Sequence, residues 1–184
     1  MPQTLTPSFS LGVNYPWSTY GYDFGSDFGV STPHTNSAVA ADFARIRDCG
    51  ATIVRWFLFG VGNSGIDCSS AGIPRGPHQS LFPDVAAALA LARQNNLQIC
   101  FSLIDFLWLQ DPAIPLDPSQ PSPVTPIPDS RKILQFAAGR EAFLANILIP
   151  LFREFRAHPA LFAWEIANEP EWAIHEFVPA SPAT

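Results

Sequence analysis

Runs of apolar, β-branched and aromatic residues alternate along this chain with segments whose apolar positions recur at helical spacing. Four apolar runs predict strands, at residues 9–15, 51–58, 97–104 and 161–167. Three segments between them predict helices: from a cap at residues 35–37 to Gly50, over 80–95, and over 131–157 with a kink near Pro150. This alternation is typical of βα units, so it predicts an α/β fold with a parallel sheet and outer helices.

Three connections in this pattern are long and rich in residues that break regular structure. Residues 16–33 are rich in glycine and aromatic residues, residues 59–79 contain Gly, Asn, Asp and Pro, and residues 110–128 are rich in proline. We expect all three to be loops, and the second and third to lie over the active face at the carboxyl ends of the strands. An interdomain linker is the alternative for 110–128, but the βα alternation resumes directly behind it. The chain is therefore predicted to be a single domain over residues 1–184.

Composition and charge narrow the classes of partner. The 184 residues are 47% hydrophobic and 14% charged, which is typical of a soluble globular domain. A net charge of −6 with scattered Lys and Arg argues against nucleic acid and anionic membranes, and favours a neutral substrate. The N-terminus lacks the basic and apolar regions of a secretory signal. The cytoplasm is therefore the default expectation, unless a signal precedes this sequence.

The cysteines and histidines do not form a metal-binding pattern. Cys49, Cys68 and Cys100 lack C-x-x-C spacing, which predicts reduced structural thiols instead of a disulfide framework or a zinc site. The histidines are dispersed, at positions 34, 78, 158 and 175. We expect no metal and no cofactor.

The most informative motif follows the last predicted strand, where Asn168, Glu169 and Pro170 come directly after the apolar run. Active sites of parallel α/β barrels lie at the carboxyl ends of the strands, and a carboxylate beside an amide suits glycosidic bond cleavage. Glu169 is therefore a candidate catalytic carboxylate. The alternative is that Glu169 is only a structural ion-pair partner, which the flanking Asn168, Pro170 and Trp172 make less favoured.

Four motifs, one at each predicted strand, carry a resemblance to a known family. They are LGVNY at 11–15, ARIRDCGATIVRW at 44–56, DFLW at 105–108 and WEIANEPEW at 164–172. In this order they resemble the clan A glycoside hydrolases, specifically the cellulase- and mannanase-like family 5 group. The resemblance covers almost the whole chain. It implies the N-terminal (β/α)4 half of a TIM (β/α)8 barrel, since a complete barrel usually takes about 250 residues.

The resemblance implies retaining hydrolysis of a β-linked glycan or β-glycoside. Glu169 would protonate the leaving oxygen and then deprotonate the incoming water, while Asn168 would hold the sugar 2-hydroxyl. Arg55 matches an arginine that in relatives hydrogen-bonds the nucleophile and keeps it ionised. Asp105 and Trp108 match a strand-three motif in which relatives often have His where this chain has Leu107.

The five tryptophans divide by their position relative to the strands. Trp56 and Trp164 lie inside strands and are predicted to be core residues. Three others follow strand ends and are predicted to line a sugar-binding cleft, because pyranose faces pack on indole rings; these are Trp17, Trp108 and Trp172.

The nucleophile is missing from this pattern. Retaining glycosidases need a second carboxylate about 5 Å from the first, and the family places it on strand seven. Glu165 and Glu169 share one extended strand about 13 Å apart, which is too far. Glu165 is instead predicted to be a buried structural carboxylate paired with Arg55 or a neighbouring group. Glu171 and Glu176 follow the strand on a path that the sequence does not predict.

An isolated half barrel would also expose two sheet edges and an inward apolar face. We therefore expect either a homodimer that completes the barrel or a missing C-terminal half. Two function classes remain open. One is a glycosidase in which a second carboxylate reaches Glu169, and the other is a non-catalytic module, either a carbohydrate-binding remnant or an inactive fragment.

Overall fold

Four strands form one parallel sheet in this computed structural model, which describes residues 9–60, 64–105, 108 and 130–170. The elements follow in the order β1 (Gly12–Asn14), α1 (Pro33–Asp48), β2 (Ile53–Phe59), β3 (Ile66–Cys68), β4 (Pro74–Pro77), α2 (Leu81–Gln94), β5 (Gln98–Ile104), α3 (Ser130–Gln135), α4 (Ala137–Phe143), a π-helical turn (Leu144–Leu148), α5 (Ile149–Phe155) and β6 (Leu161–Ala167). The sheet order is β1-β2-β5-β6, and every neighbouring pair is parallel.

The four predicted strands are confirmed, with differences at their ends. β6 has the predicted bounds, whereas β1 keeps only three residues of the predicted run 9–15. α1 begins at Pro33, two residues before the predicted cap at Thr35. Proline is well suited to the first turn because the N–H that it lacks has no partner there in any helix. Thr35 instead donates its hydroxyl hydrogen to the carbonyl of Phe28.

The prediction of an irregular loop over residues 59–79 is wrong in part, because β3 and β4 form an antiparallel ribbon within it. Pro74, Gly76 and Pro77 are unfavourable strand residues, so the sequence pattern hides the pairing. A register shift between Asp67 and Cys68 interrupts the ribbon.

The predicted helix over 131–157 is divided, which corrects the expectation of one helix with a kink near Pro150. Phe136 adopts an extended conformation (φ −102°, ψ 142°) that ends α3 before α4 begins. The π-helical turn then leads into α5, where Pro150 occupies the first turn. Proline cannot donate to the carbonyl four residues earlier, here that of Asn146, and the local change of helix type accommodates this loss.

One face of the sheet is sealed over β2 and β5 by helices and the β1–α1 loop. The side chains that these two strands turn to it are fully buried: Val54, Trp56, Leu58, Ile99, Phe101 and Leu103. On β6, Ile166 lies on the same face and is 63% exposed. Aromatic edge contacts join this face to its cover, for example Phe43 of α1 to Trp56, with ring centroids 5.5 Å apart. None of the described helices is both long enough and apolar enough to cross a membrane.

The opposite face corrects the expectation of an inward apolar surface. Arg55, Cys100 and Glu165 project from this face in neighbouring registers, and each is only partly buried. Ile53 and Ala163 lie between them, so the face is mixed rather than apolar. Its polar groups converge toward the carboxyl end of the sheet.

Candidate functional site

The carboxyl edge of the sheet holds the motif residues that follow β6. The backbone N–H of Asn168 donates to the carbonyl of Ile104 at 2.8 Å, which continues the pairing of β6 with β5 past the last strand residue. This bond fixes where Asn168 leaves the sheet. The side chains of residues 168 and 169 are therefore presented beside the end of β5.

Arg55 of β2 is the centre of a hydrogen-bonded cluster at this edge. Its Nε donates to Glu165 Oε2 at 2.6 Å, one terminal nitrogen donates to Asn14 Oδ1 at 3.1 Å, and the other donates to Asn168 Oδ1 at 2.8 Å. One guanidinium thus connects β1, β2 and β6. Its planar fork of donors suits several oxygen acceptors at once.

The amide of Asn168 is held from both ends. While Oδ1 accepts from Arg55, Nδ2 donates to Asp105 Oδ2 at 3.1 Å, and Asn168 and Asp105 are both buried. A carboxylate and a guanidinium together fix which end of the amide is the donor. Nδ2 carries a second N–H, which is the type of group that binds a sugar hydroxyl.

Glu169 differs from its neighbour because its side chain is exposed. Its backbone φ is +44°, in the left-handed region that non-glycine residues rarely adopt. Such conformations cost of order 1–3 kcal/mol and cluster at functional sites. The turn therefore presents an exposed carboxylate directly beside a rigid, buried amide.

Three predicted site residues, Arg55, Asp105 and Asn168, are brought together in one network, and Glu169 follows them in sequence. Trp17 lies at the same edge, with its ring centroid 5.9 Å from that of Phe57 and 4.9 Å from that of Tyr20.

Trp108 is placed differently from these residues. It is 1% exposed, and its indole N–H donates to the carbonyl of Phe59 at 2.6 Å, so its ring belongs to the core and offers no face at the surface. Trp172 and the related positions Leu107, Glu171 and Glu176 lie outside the described residues.

Glu165 pairs with Arg55 as predicted, but it is not buried, since 34% of its side chain is exposed. The ion pair also affects the pKa of the thiol of Cys100, which lies on the neighbouring strand β5. Burial is the main cause that raises the pKa of the Cys100 thiol. The Glu165 carboxylate raises that pKa further, and Arg55 opposes the shift.

Two contributors were not identified from sequence. Asn14 lies in the LGVNY motif and is in register with Arg55. The signal in the sequence that could have identified Asn14 is a polar residue at the end of a short apolar run. Phe57 lies two residues after Arg55 on the same face, with the guanidinium carbon 5.1 Å from its ring centroid.

Within the described ranges, no three His, Cys, Asp or Glu side chains are grouped to hold a metal ion.

Four parallel strands in chain order, with polar side chains gathered at their carboxyl edge, define a partial (β/α)8 barrel. The chain is 26% identical over 166 residues to a mannan endo-1,4-beta-mannosidase of Mytilus edulis, which covers 90% of this chain and 41% of that protein. No protein-family model matches the chain.

Solved structures show the same fold. A beta-1,4-D-mannanase from Cryptopygus antarcticus superposes with a TM-score of 0.71 at 21% identity, over 88% of this chain and 40% of that one. A beta-1,4-mannanase from Aplysia kurodai gives 0.72 at 19% identity, over 88% and 42%. The predicted resemblance and the half-barrel fold class are confirmed. The chain spans about 40% of the length of these relatives.

Proposed function

We propose that this chain contributes the acid/base side of a retaining glycoside hydrolase that acts on β-1,4-linked mannan, with Glu169 as the general acid/base. The relatives' names support mannan as the substrate. The observation that carries the proposal is the contrast between neighbours: Asn168 is buried and fixed by two partners, while Glu169 is exposed beside it.

The site residues then divide the work. Glu169 protonates the leaving glycosidic oxygen and afterwards accepts a proton from water. Asn168 donates its second Nδ2 hydrogen to a sugar hydroxyl, and Asp105 maintains that orientation. Arg55 supplies a positive charge that favours the ionised form of the second catalytic carboxylate, the nucleophile.

Among the described residues, Glu165 lies about 13 Å from Glu169 along the strand and Asp105 is hydrogen-bonded to Asn168, so we infer that the second carboxylate of a retaining mechanism lies outside them. We propose that it is supplied at the sheet edges β1 and β6, either by a second copy in a homodimer or by further barrel strands. Light scattering on the 184-residue chain distinguishes a dimer from a monomer. In either arrangement the described residues act as one half-barrel domain.

A non-catalytic carbohydrate-binding module is the second candidate. A different observation favours it: the carboxylates of Glu165 and Asp105 are already bonded to protein groups. Such a module would bind β-mannan without turnover.

The test is the release of reducing ends from soluble β-1,4-mannan by the wild-type chain and by Glu169→Gln. We expect the substitution to lower the rate by about 10²–10⁴, the usual contribution of a positioned acid or base. Glu154→Gln, an exposed glutamate on α5, is the matched control and should leave the rate unchanged. Activity that survives Glu169→Gln contradicts the acid/base role. Binding of mannan without any turnover supports the binding module.

A further inference from the structure

The β1–α1 loop carries an aromatic pair beside the candidate site. The ring centroids of Trp17 and Tyr20 are 4.9 Å apart, with their planes at 58°. Trp17 also packs against Phe57, whose ring lies next to the Arg55 guanidinium. A single intervening ring therefore separates the aromatic pair from the Arg55 cluster. Tyr20 is 54% exposed, so its ring is accessible to a ligand.

A buried carboxylate holds this turn in place. Asp23 accepts hydrogen bonds from the backbone N–H groups of Ser18 and Thr19, both at 2.6 Å, and from the Thr19 hydroxyl. It also accepts from the indole nitrogen of Trp56 at 2.8 Å. Because Trp56 belongs to the sealed face of the sheet, Asp23 ties the turn that carries Trp17 and Tyr20 to the rigid core.

The rest of the loop is fixed by a second buried carboxylate. Asp84 of α2 accepts from the backbone N–H groups of Gly25 and Ser31, both at 2.8 Å. Gly25 has a φ of +71°, and a Cβ there would lie 2.0 Å from the Cα of Gly65, so the backbones touch. The loop is thus held at several points and its shape is preorganised.

Tyr20 sits in this rigid loop with a φ of +48°, a left-handed conformation that is unfavourable for a bulky residue. Its ring does not gain burial in return, since more than half of it is exposed. Strained residues held by their surroundings cluster at ligand clamps and active sites. The loop therefore holds an exposed aromatic ring against Trp17, which packs on the same Phe57 ring that lies beside Arg55.

We propose that Trp17 and Tyr20 form a subsite for one pyranose unit of a β-linked glycan, with Asp23 as the positioning residue. The aromatic faces pack against the apolar C–H face of the sugar, and the Tyr20 hydroxyl reaches its hydroxyl groups. This subsite rests on the proposed function, because it extends the same cleft by one sugar unit.

The test is calorimetric titration of the 184-residue chain with β-1,4-mannohexaose. We expect Tyr20→Ala to weaken binding about tenfold, since truncation of an aromatic anchor commonly costs more than 1 kcal/mol. Tyr20→Phe, which keeps the ring, should lose no more than about threefold. Tyr22→Ala is the matched control, an exposed tyrosine two residues along the same loop, and it should bind as the wild type does.

Asp23→Asn tests the positioning role separately from stability. A loss of folded protein weakens every ligand by the same factor, whereas a displaced subsite reduces the preference for long ligands. We therefore expect the ratio of affinities for mannohexaose and mannobiose to fall in both Asp23→Asn and Tyr20→Ala. A lower melting temperature with an unchanged ratio would make Asp23 purely structural and overturn its assignment.

The outcomes separate this subsite from the proposed function. If the wild type binds mannohexaose and Tyr20→Ala binds equally well, the subsite is wrong and glycan recognition stands. If Tyr22→Ala weakens binding as much as Tyr20→Ala, the assignment to Tyr20 is overturned. If the wild type does not bind mannohexaose at all, the subsite and the recognition of mannan by this chain both fail.

Discussion

The two faces of the parallel sheet are made from adjacent residues and have opposite character. On β2 and β5, Trp56 and Phe101 point to the helices and are fully buried, whereas their neighbours Arg55 and Cys100 point the other way and stay partly exposed. The first pair makes ring contacts with the helices, the β1–α1 loop and β6. Arg55 makes an ion pair with Glu165 and hydrogen bonds to Asn14 and Asn168.

This difference shows which face of the sheet is covered by elements that are its neighbours in sequence. Over β2 and β5, the sealed face is closed by helices and loops that lie between the strands in the chain, whereas Ile166 of β6 stays exposed on it. The open face is held by charge pairing and hydrogen bonds, and it ends at the edge where Asn168 and Glu169 lie. Stability is concentrated on one face and candidate chemistry on the other.

The largest expected difference between the two faces is in the free energy of unfolding, and it can be tested at two residues that are adjacent in sequence. Phe101→Ala should lower the free energy of unfolding by about 3–5 kcal/mol, because it empties a fully buried site that packs against Phe24 and Trp164. Cys100→Ala on the open face should cost about 1 kcal/mol or less. Urea denaturation with unchanged m-values measures both. Equal costs would contradict the division between the faces.

The period of hydrophobic residues was enough to predict the four strands, their parallel order and three helical regions. It failed where local chemistry overrides the pattern: the proline- and glycine-containing β3–β4 ribbon, the break at Phe136, and the π-helical turn before Pro150. On the open face, the pairing of Glu165 with Arg55, 110 residues apart in sequence, was predicted from the cost of an unpaired charge and not from alternation.

Site residues that belong to sequence motifs at the strands could be predicted, whereas those in the β1–α1 loop could not. Asp105, Asn168 and Glu169 directly follow strands, and Arg55 lies on the open face of β2, so their convergence follows from parallel topology. Trp108 has the same relation to its strand, yet its indole N–H turns to a core carbonyl. The roles of Tyr20 and other loop residues depend on backbone conformation and long-range hydrogen bonds, which leave no periodic signal in the sequence.

A smaller effect is expected from neutralising the open face at Glu165. Glu165→Gln should cost about 1 kcal/mol or less, because the pair with Arg55 is partly exposed and the amide oxygen still accepts a hydrogen bond. Its clearer effect is on Cys100. Since the carboxylate is one cause of the raised thiol pKa, its removal should lower that pKa toward the ordinary value, while burial keeps it raised.

The measurement is the pH dependence of the reaction of Cys100 with iodoacetamide, in a background where Cys49 and Cys68 are replaced by serine. The reactive thiolate should appear at lower pH in Glu165→Gln than in the parent. Glu154→Gln, on the exposed side of α5, should leave the profile unchanged. A shift of the thiolate to higher pH would mean that Glu165 does not face Cys100 as the structure places it.

The smallest effect is expected at Ser102, on the open face opposite Phe57 and Glu165. Its hydroxyl is 1% exposed and has no hydrogen-bond partner in the part of the chain that the structure describes. Ser102→Ala should therefore change the free energy of unfolding by less than about 0.5 kcal/mol, because it removes a buried polar group without removing a bond.

Ser64→Ala is the same substitution at a buried hydroxyl that donates to the Phe24 carbonyl at 2.5 Å, and it should cost about 1 kcal/mol. Equal decreases in the free energy of unfolding for the two substitutions would mean that the Ser102 hydroxyl has a hydrogen-bond partner in solution. A loss at Ser64 alone would sharpen the division. It would mean that the buried hydroxyl of Ser102 is retained on the open face without benefit to the stability of this chain.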